Sequence, residues 1–147
     1  MKRGLLYLLL FVLTFPLWPQ AANPGIDEQY SYVGMTLAEL IGRFGPPRTV
    51  GTARGNELWQ DDVVFQYPQG DFYIYRDRVW QVRLVSIRGV SNGDRKAAVQ
   101  FYLGNTAEDM GDHLLFPVSG SDWPLMLRVN FSNSGLVSGI FLYRPDF

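Results

Sequence analysis

The chain has 147 residues, no cysteine, and 13 Lys and Arg against 14 Asp and Glu, for a formal net charge of −1. The lack of cysteine excludes disulfides, thiolate metal sites, a cysteine nucleophile and a lipid anchor on an N-terminal cysteine. The near balance of charge gives no indication of a nucleic-acid partner, which would require a basic stripe.

The first 22 residues have the features of a secretory signal peptide. Two basic residues precede an almost unbroken apolar run, Leu5 to Leu17, and the small residues Ala21 and Ala22 follow it. Basic start, apolar core and small-residue exit is the order of an export signal. The run is shorter than the roughly 20 residues that a membrane-spanning helix needs. We therefore predict a periplasmic or secreted protein with no membrane span once residues 1–22 are removed; retention of this segment as an anchor is the alternative.

Residues 36–45 predict a short helix with well-defined ends. Thr36 and Glu39 have the spacing of a capping box, in which each side chain bonds the other residue's backbone N–H. Gly45 permits a left-handed exit from the helix, and the two prolines after it prevent continuation. Apolar residues at helical spacing form one stripe: Leu37, Leu40, Ile41 and Phe44.

Three strands are predicted after this helix, at 58–67, 72–75 and 79–86. Aromatic and β-branched residues dominate them, as is typical of strands. Residues 49–56 contain two glycines and are predicted to form a loop. Strand alternation places one set of side chains in the core, including Phe65, Trp80, Val82 and Leu84.

The second half of the chain repeats this order. A helix is predicted up to Leu103, followed by strands at 114–118, 123–131 and 136–143, and Pro117 favours an edge position for the first of them. The glycines that bracket the two helices are spaced identically, 59 residues apart: Gly34 and Gly45, then Gly93 and Gly104. Such a period indicates a duplicated unit.

We therefore predict an α+β fold made of two tandem α-β-β-β units, with antiparallel sheets and the helices packed on one face. The first unit would span residues 32–89 and the second 90–147. Residues 23–31, between the signal peptide and the first unit, would form a flexible lead-in.

Two such units side by side would leave one face of the sheets open. Strand alternation predicts which side chains lie there. They combine aromatic rings with arginines, the residue types that protein interfaces enrich. We predict that a partner protein binds Tyr73, Tyr75, Arg83, Arg128, Phe141 and Tyr143.

No motif for catalysis or metal binding is recognisable. His113 is the sole histidine, and neither a cysteine nor a Gly-x-Ser-x-Gly elbow could serve as its nucleophile, so it is predicted as a solvated loop residue. Asp61 and Asp62 are adjacent, so on a strand their carboxylates would face opposite sides and could not chelate one ion. We expect no catalytic residue, no metal and no cofactor.

A glycine-methionine-threonine start at Gly34, a helix ending in Phe44-Gly45-x-Pro47, and Trp59 before a strand resemble the SmpA/OmlA (BamE-like) family of small bacterial envelope proteins. The similarity covers residues 33–85. The doubled unit also resembles the tandem architecture of β-lactamase inhibitory proteins, whose concave sheet faces a partner enzyme. Both resemblances imply a fold and a style of binding. The chain departs from the BamE-like proteins in lacking their lipid-anchoring cysteine.

Together, these observations predict an exported, non-enzymatic protein-binding module of the bacterial cell envelope, whose partner is another envelope or secreted protein. The alternative is a periplasmic carrier of a small apolar ligand in the same concavity. A deep pocket would favour the carrier, whereas a shallow aromatic face would favour a protein partner.

Overall fold

The computed structural model describes residues 28–54 and 61–146. The predicted signal peptide and Trp59 lie outside the described residues. The elements, in chain order, are a 3-10 helix at Glu28–Tyr32, α1 Leu37–Phe44, β1 Thr49–Arg54, β2 Asp61–Tyr67, β3 Gly70–Tyr75, β4 Arg78–Leu84, β5 Ser86–Ile87, β6 Val90–Ser91, α2 Lys96–Leu103, β7 Glu108–Asp109, β8 His113–Val118, β9 Leu125–Phe131 and β10 Val137–Tyr143.

Eight of these strands form one continuous antiparallel sheet in the order β1-β2-β3-β4-β10-β9-β8-β7. Each half of the chain contributes four neighbouring strands. The halves join through their last strands, where Leu84 pairs with Ile140 and Val82 with Leu142. β5 and β6 form a separate two-stranded hairpin.

The predicted fold class, two α-β-β-β units with helices packed on their sheets, is wrong. The described structure is mostly β, with a single eight-stranded sheet and two α-helices of only eight residues each. The predicted loop 49–56 contains β1, and the short strand β7 was also not predicted. Neither strand shows apolar alternation, because β1 is exposed on nearly every residue and β7 consists of two exposed acidic residues.

The core lies on one face of the sheet. Leu40 of α1 and Val99 of α2 are fully buried there, together with side chains from the central strands: Phe72, Val79, Val82, Leu84, Leu127, Val129, Ile140 and Leu142. The rings of Tyr32, Phe44, Tyr67 and Phe72 pack within 5.4–5.7 Å of one another. Burial of this apolar surface is the main stabilising term for a chain without disulfides.

The 3-10 helix corrects the predicted lead-in at 23–31. Residues 28–31 are helical rather than flexible, and Tyr30 and Tyr32 are buried in the core. Arg43 of α1 holds this segment in place, because its guanidinium donates to Ser31 Oγ at 2.9 Å and to Glu28 Oε1 at 2.6 Å. Residues 23–27 are outside the described part of the chain.

The capping box predicted for α1 is present. The backbone N–H of Glu39 donates to Thr36 Oγ1 at 3.2 Å, and the N–H of Thr36 donates to the Glu39 carboxylate at 2.8 Å. The helix ends at Gly45, where φ is 76°. The equivalent N-cap of α2 is Arg95, whose side chain makes no capping hydrogen bond.

Equivalent main-chain hydrogen bonds recur in the two halves of the chain. The N–H of Gly34 donates to the carbonyl of Val79, and the N–H of Gly93 donates to that of Val137, both at 2.8 Å. The return bonds, from Val79 to Met35 and from Val137 to Asp94, are also 2.8 Å long. Each pair ties the start of a short helix to the last strand of its own half. Within residues 28–54 and 61–146, no helix is long and apolar enough to cross a membrane.

Candidate functional site

The candidate site is the face of the eight-stranded sheet opposite the core, called the open face below. Paired residues of antiparallel strands point to the same side of a sheet, so the register shows which side chains share this face. All six residues predicted to bind a partner lie on it. Arg83 is exposed, and the others are partly buried: Tyr73, Tyr75, Arg128, Phe141 and Tyr143.

Three of the six form a row across the centre of the sheet. Phe141 of β10 pairs with Arg83 of β4 on one side and with Arg128 of β9 on the other. Since neighbouring strands lie about 4.8 Å apart, the two arginine backbones are separated by about 10 Å, with the ring between them. We call these three residues the Arg-Phe-Arg row.

Contacts within the face orient this row. The Arg128 guanidinium carbon lies 6.0 Å from the centroid of the Phe141 ring, and its Nε donates to Asn130 Oδ1 at 2.6 Å. The Phe141 ring lies beside Gly139, where a Cβ would come within 2.8 Å of it. A glycine at 139 therefore allows the ring to lie along its own strand.

A second row runs beside the first and joins Tyr73, Gln81 and Tyr143. Tyr73 also pairs with Val64, which is only 8% exposed although it lies on the open face. Burial raises the pKa of the Tyr73 hydroxyl, and nearby Asp71 adds to the rise. This part of the open face is therefore a packed aromatic layer, with Tyr73 half-buried in it.

Trp80 belongs to the open face, which corrects its predicted place in the core. The register between β3 and β4 shifts between Tyr73 and Ile74, which leaves an extra residue on β4. At such a bulge two consecutive side chains turn to the same side of the sheet. The Trp80 indole Nε1 accordingly donates to Asp62 Oδ1 on the open side at 3.1 Å.

Tyr75 lies apart from the Arg-Phe-Arg row. It is the last residue of β3 and pairs with Arg78 across the turn at Arg76 and Asp77, both of which have positive φ. The guanidinium of Arg76 lies 5.1 Å from its ring centroid. Tyr75 therefore marks one end of the open face, whereas the other five predicted residues lie on four adjacent strands: β3, β4, β10 and β9.

His113 is not the solvated loop residue that was predicted. It is the first residue of β8, its side chain is 18% exposed, and it pairs with Asn130 on the open face. Its Nδ1 lies 2.6 Å from Asp112 Oδ1, and this hydrogen bond lowers the pKa of the Asp112 carboxyl. Within the described residues, no three His, Cys, Asp or Glu side chains are close enough to hold a metal ion.

Two grooves lie away from the six predicted residues. The larger, of about 530 Å³, runs between the 3-10 helix, the start of α1 and the loop before β9, and its lining includes Arg43, Arg78 and Trp123. The smaller, of about 250 Å³, lies near the end of α2 and β8. Neither includes an open-face residue of the predicted set, so neither corresponds to the concavity expected for an apolar-ligand carrier.

No protein-family model and no curated protein sequence matches the chain. The resemblance to the SmpA/OmlA family and to β-lactamase inhibitory proteins therefore stays a prediction. Among solved structures, an extracellular protein containing an SCP domain from Bacillus anthracis strain Ames is similar, with a TM-score of 0.57 and 12% sequence identity. The match covers 86% of this chain but 49% of that protein, so this chain spans about half its length. At this identity the likeness shows the fold alone.

Proposed function

We propose that the chain is an exported, non-enzymatic protein-binding module of the bacterial cell envelope, which binds another envelope or secreted protein through the open face. The observation that carries this proposal is the Arg-Phe-Arg row, in which Phe141 lies between Arg83 and Arg128 on three adjacent strands. The row sits beside the half-buried aromatic layer of Tyr73 and Tyr143.

The chemistry of the row suits a protein surface. Guanidinium groups are planar, permanently charged donors that bind carboxylates and backbone carbonyls. An aromatic ring between them offers a rigid apolar contact at little cost in side-chain entropy, and binding hot spots are enriched in aromatic and arginine side chains. A partner would place acidic or carbonyl oxygens over the arginines and an apolar side chain over Phe141.

Export is supported by the features of residues 1–22 and by the extracellular nature of the similar solved protein. The proposal places the mature chain in the periplasm or outside the cell. Mass spectrometry of protein recovered from the periplasmic or culture fraction tests this step. A mass that lacks residues 1–22 supports export with cleavage, and recovery only from the cytoplasm contradicts it.

Site-specific photo-crosslinking tests the binding proposal. A photo-reactive phenylalanine analogue replaces Tyr143 on the open face in cells that express the full chain. Phe101 on α2 provides the matched control, because its ring is 81% exposed but belongs to a helix on the core side. Any adhesive aromatic group would then crosslink from both positions.

The proposal predicts a discrete crosslinked protein from position 143 and none from position 101. The same partner should be lost when Arg83 and Arg128 are both changed to alanine. Equal crosslinking from the two positions, or none from position 143 in exported protein, contradicts it.

A further inference from the structure

The two edges of the eight-stranded sheet differ sharply. β1 is an edge strand of six residues, and in the described part of the chain it pairs only with β2. Five of its residues are exposed, and Ala53 is partly buried. An edge strand presents a row of backbone N–H and C=O groups that have no partner in its own sheet, which makes it a template for another strand.

The opposite edge is protected in a way that β1 is not. β7 has two residues, both acidic and exposed, and short charged edges discourage strand addition. β1 contains no proline, lysine or acidic residue, and its register with β2 is continuous from Thr49 to Arg54. Val50, near its start, is 57% exposed. β1 is thus a straight, almost uncharged edge.

We propose that β1 pairs in antiparallel fashion with β1 of a second copy of this chain, to give one continuous sheet across a dimer. A two-fold axis perpendicular to the sheet relates the copies, so the core faces continue into each other, as do the open faces. Arg54 is the single charged residue of the strand and lies at its end. Antiparallel pairing therefore separates the two Arg54 side chains, and only small or apolar residues meet: Thr49, Val50, Gly51, Thr52 and Ala53.

This pairing closes at two copies. The outer edges of the dimer are the two β7 strands, which are short and acidic, so no further strand is added. The open faces of both copies then lie on the same side. The inference stands on the edge of the sheet and is independent of the function proposed for the open face.

Sedimentation equilibrium of the purified protein over a wide range of concentrations tests the proposal, and it predicts a reversible monomer–dimer equilibrium. The blocking variant is Val50→Lys combined with Thr52→Lys. Both positions are exposed and lie on the same side of the strand, so lysines there oppose each other across the two-fold axis. Like charges directly opposite on neighbouring strands are destabilising, and the dimer dissociation constant should rise by about tenfold or more.

A charge-complementation step separates this interface from any other. Val50→Glu combined with Thr52→Glu is mixed with the lysine variant, and native mass spectrometry should detect the mixed dimer. Glu108→Lys on β7 is the control and should leave the dimer unchanged. Circular dichroism confirms that each variant is folded. A native protein that stays monomeric up to its solubility limit, or a dimer that the lysines do not weaken, overturns the proposal.

Discussion

The indole of Trp123 packs directly on the backbone of Gly34, so a Cβ added at residue 34 would lie 2.4 Å from the indole Nε1. Arg144 covers the indole from the other side, with its guanidinium 4.2 Å from the ring centroid, and is held by Asp146 at 2.7 Å. This contact joins the start of the first half of the chain to the loop before β9 and to the end of β10. It makes Gly34 a position where only glycine fits.

Gly34→Ala should therefore destabilise the protein more than Gly93→Ala does. Both glycines have φ near +90°, where a side chain costs about 1–3 kcal/mol in strain. A Cβ at Gly93 meets no atom within 4 Å, whereas one at Gly34 overlaps the indole and should add about 1–3 kcal/mol. Chemical denaturation of the two variants measures the difference. If it arises from the indole, it should shrink in a Trp123→Ala background; a difference that persists there argues against the contact.

The capping box gives a second pair of matched variants. Thr36→Ala removes the hydroxyl that accepts from the Glu39 N–H, and loss of such a cap costs about 0.5–2 kcal/mol. Arg95 occupies the equivalent N-cap of α2 without a capping bond, so Arg95→Ala should leave the unfolding free energy nearly unchanged. Thermal or urea unfolding compares the two. Equal losses would mean that the box contributes nothing beyond the N-cap position itself.

The same box predicts a pH effect. Hydrogen bonds from Thr36, first from its backbone N–H and then from its side chain, lower the pKa of Glu39 below its usual 4.5. Because the folded-state pKa is the lower one, the contribution is present above the unfolded value and is lost as the pH falls through the folded value. Glu39→Gln should therefore flatten the loss of stability below about pH 4.5 relative to the native protein. Parallel stability–pH curves for the two proteins would contradict this.

Strand alternation located most of the sheet because the relevant strands bury one side. β2, β3, β4, β9 and β10 alternate between buried and more exposed residues, and the predicted strands cover all five of them. β1 could not be found in this way, since it is exposed on both faces and is held by backbone bonds to β2. The pairing of β4 with β10 also has no local signal, so the predicted separate sheets are in fact one.

The misplaced Trp80 has a signal that simple alternation overlooks. The buried residues of β4 are Val79, Val82 and Leu84, so their spacing is three and then two. β10 repeats this spacing at Val137, Ile140 and Leu142, and its register also shifts, after Val137. A spacing of three within a strand predicts a bulge. Read in this way, the sequence places Trp80 on the open face.

Tyr73 and Tyr75 should respond differently to truncation, although the sequence predicts the same role for both. Tyr73 is packed in the aromatic layer against Val64, and truncation of a half-buried aromatic side chain removes apolar burial of about 1–3 kcal/mol. Tyr75 lies at the strand end, so Tyr75→Ala should cost clearly less. Differential scanning calorimetry of the single variants measures this. Equal or reversed losses would contradict the packing described for Tyr73.

The most direct measurement for the proposed binding face is the dissociation constant of the crosslinked partner, once purified, for the native chain and for Arg83→Ala combined with Phe141→Ala and Arg128→Ala. Hot-spot residues each contribute about 2 kcal/mol or more, so the account predicts a loss of affinity of at least about 100-fold. Arg95→Ala, with an exposed arginine outside the row, should bind as the native chain does. A triple variant that is folded and binds the partner with native affinity would contradict the account.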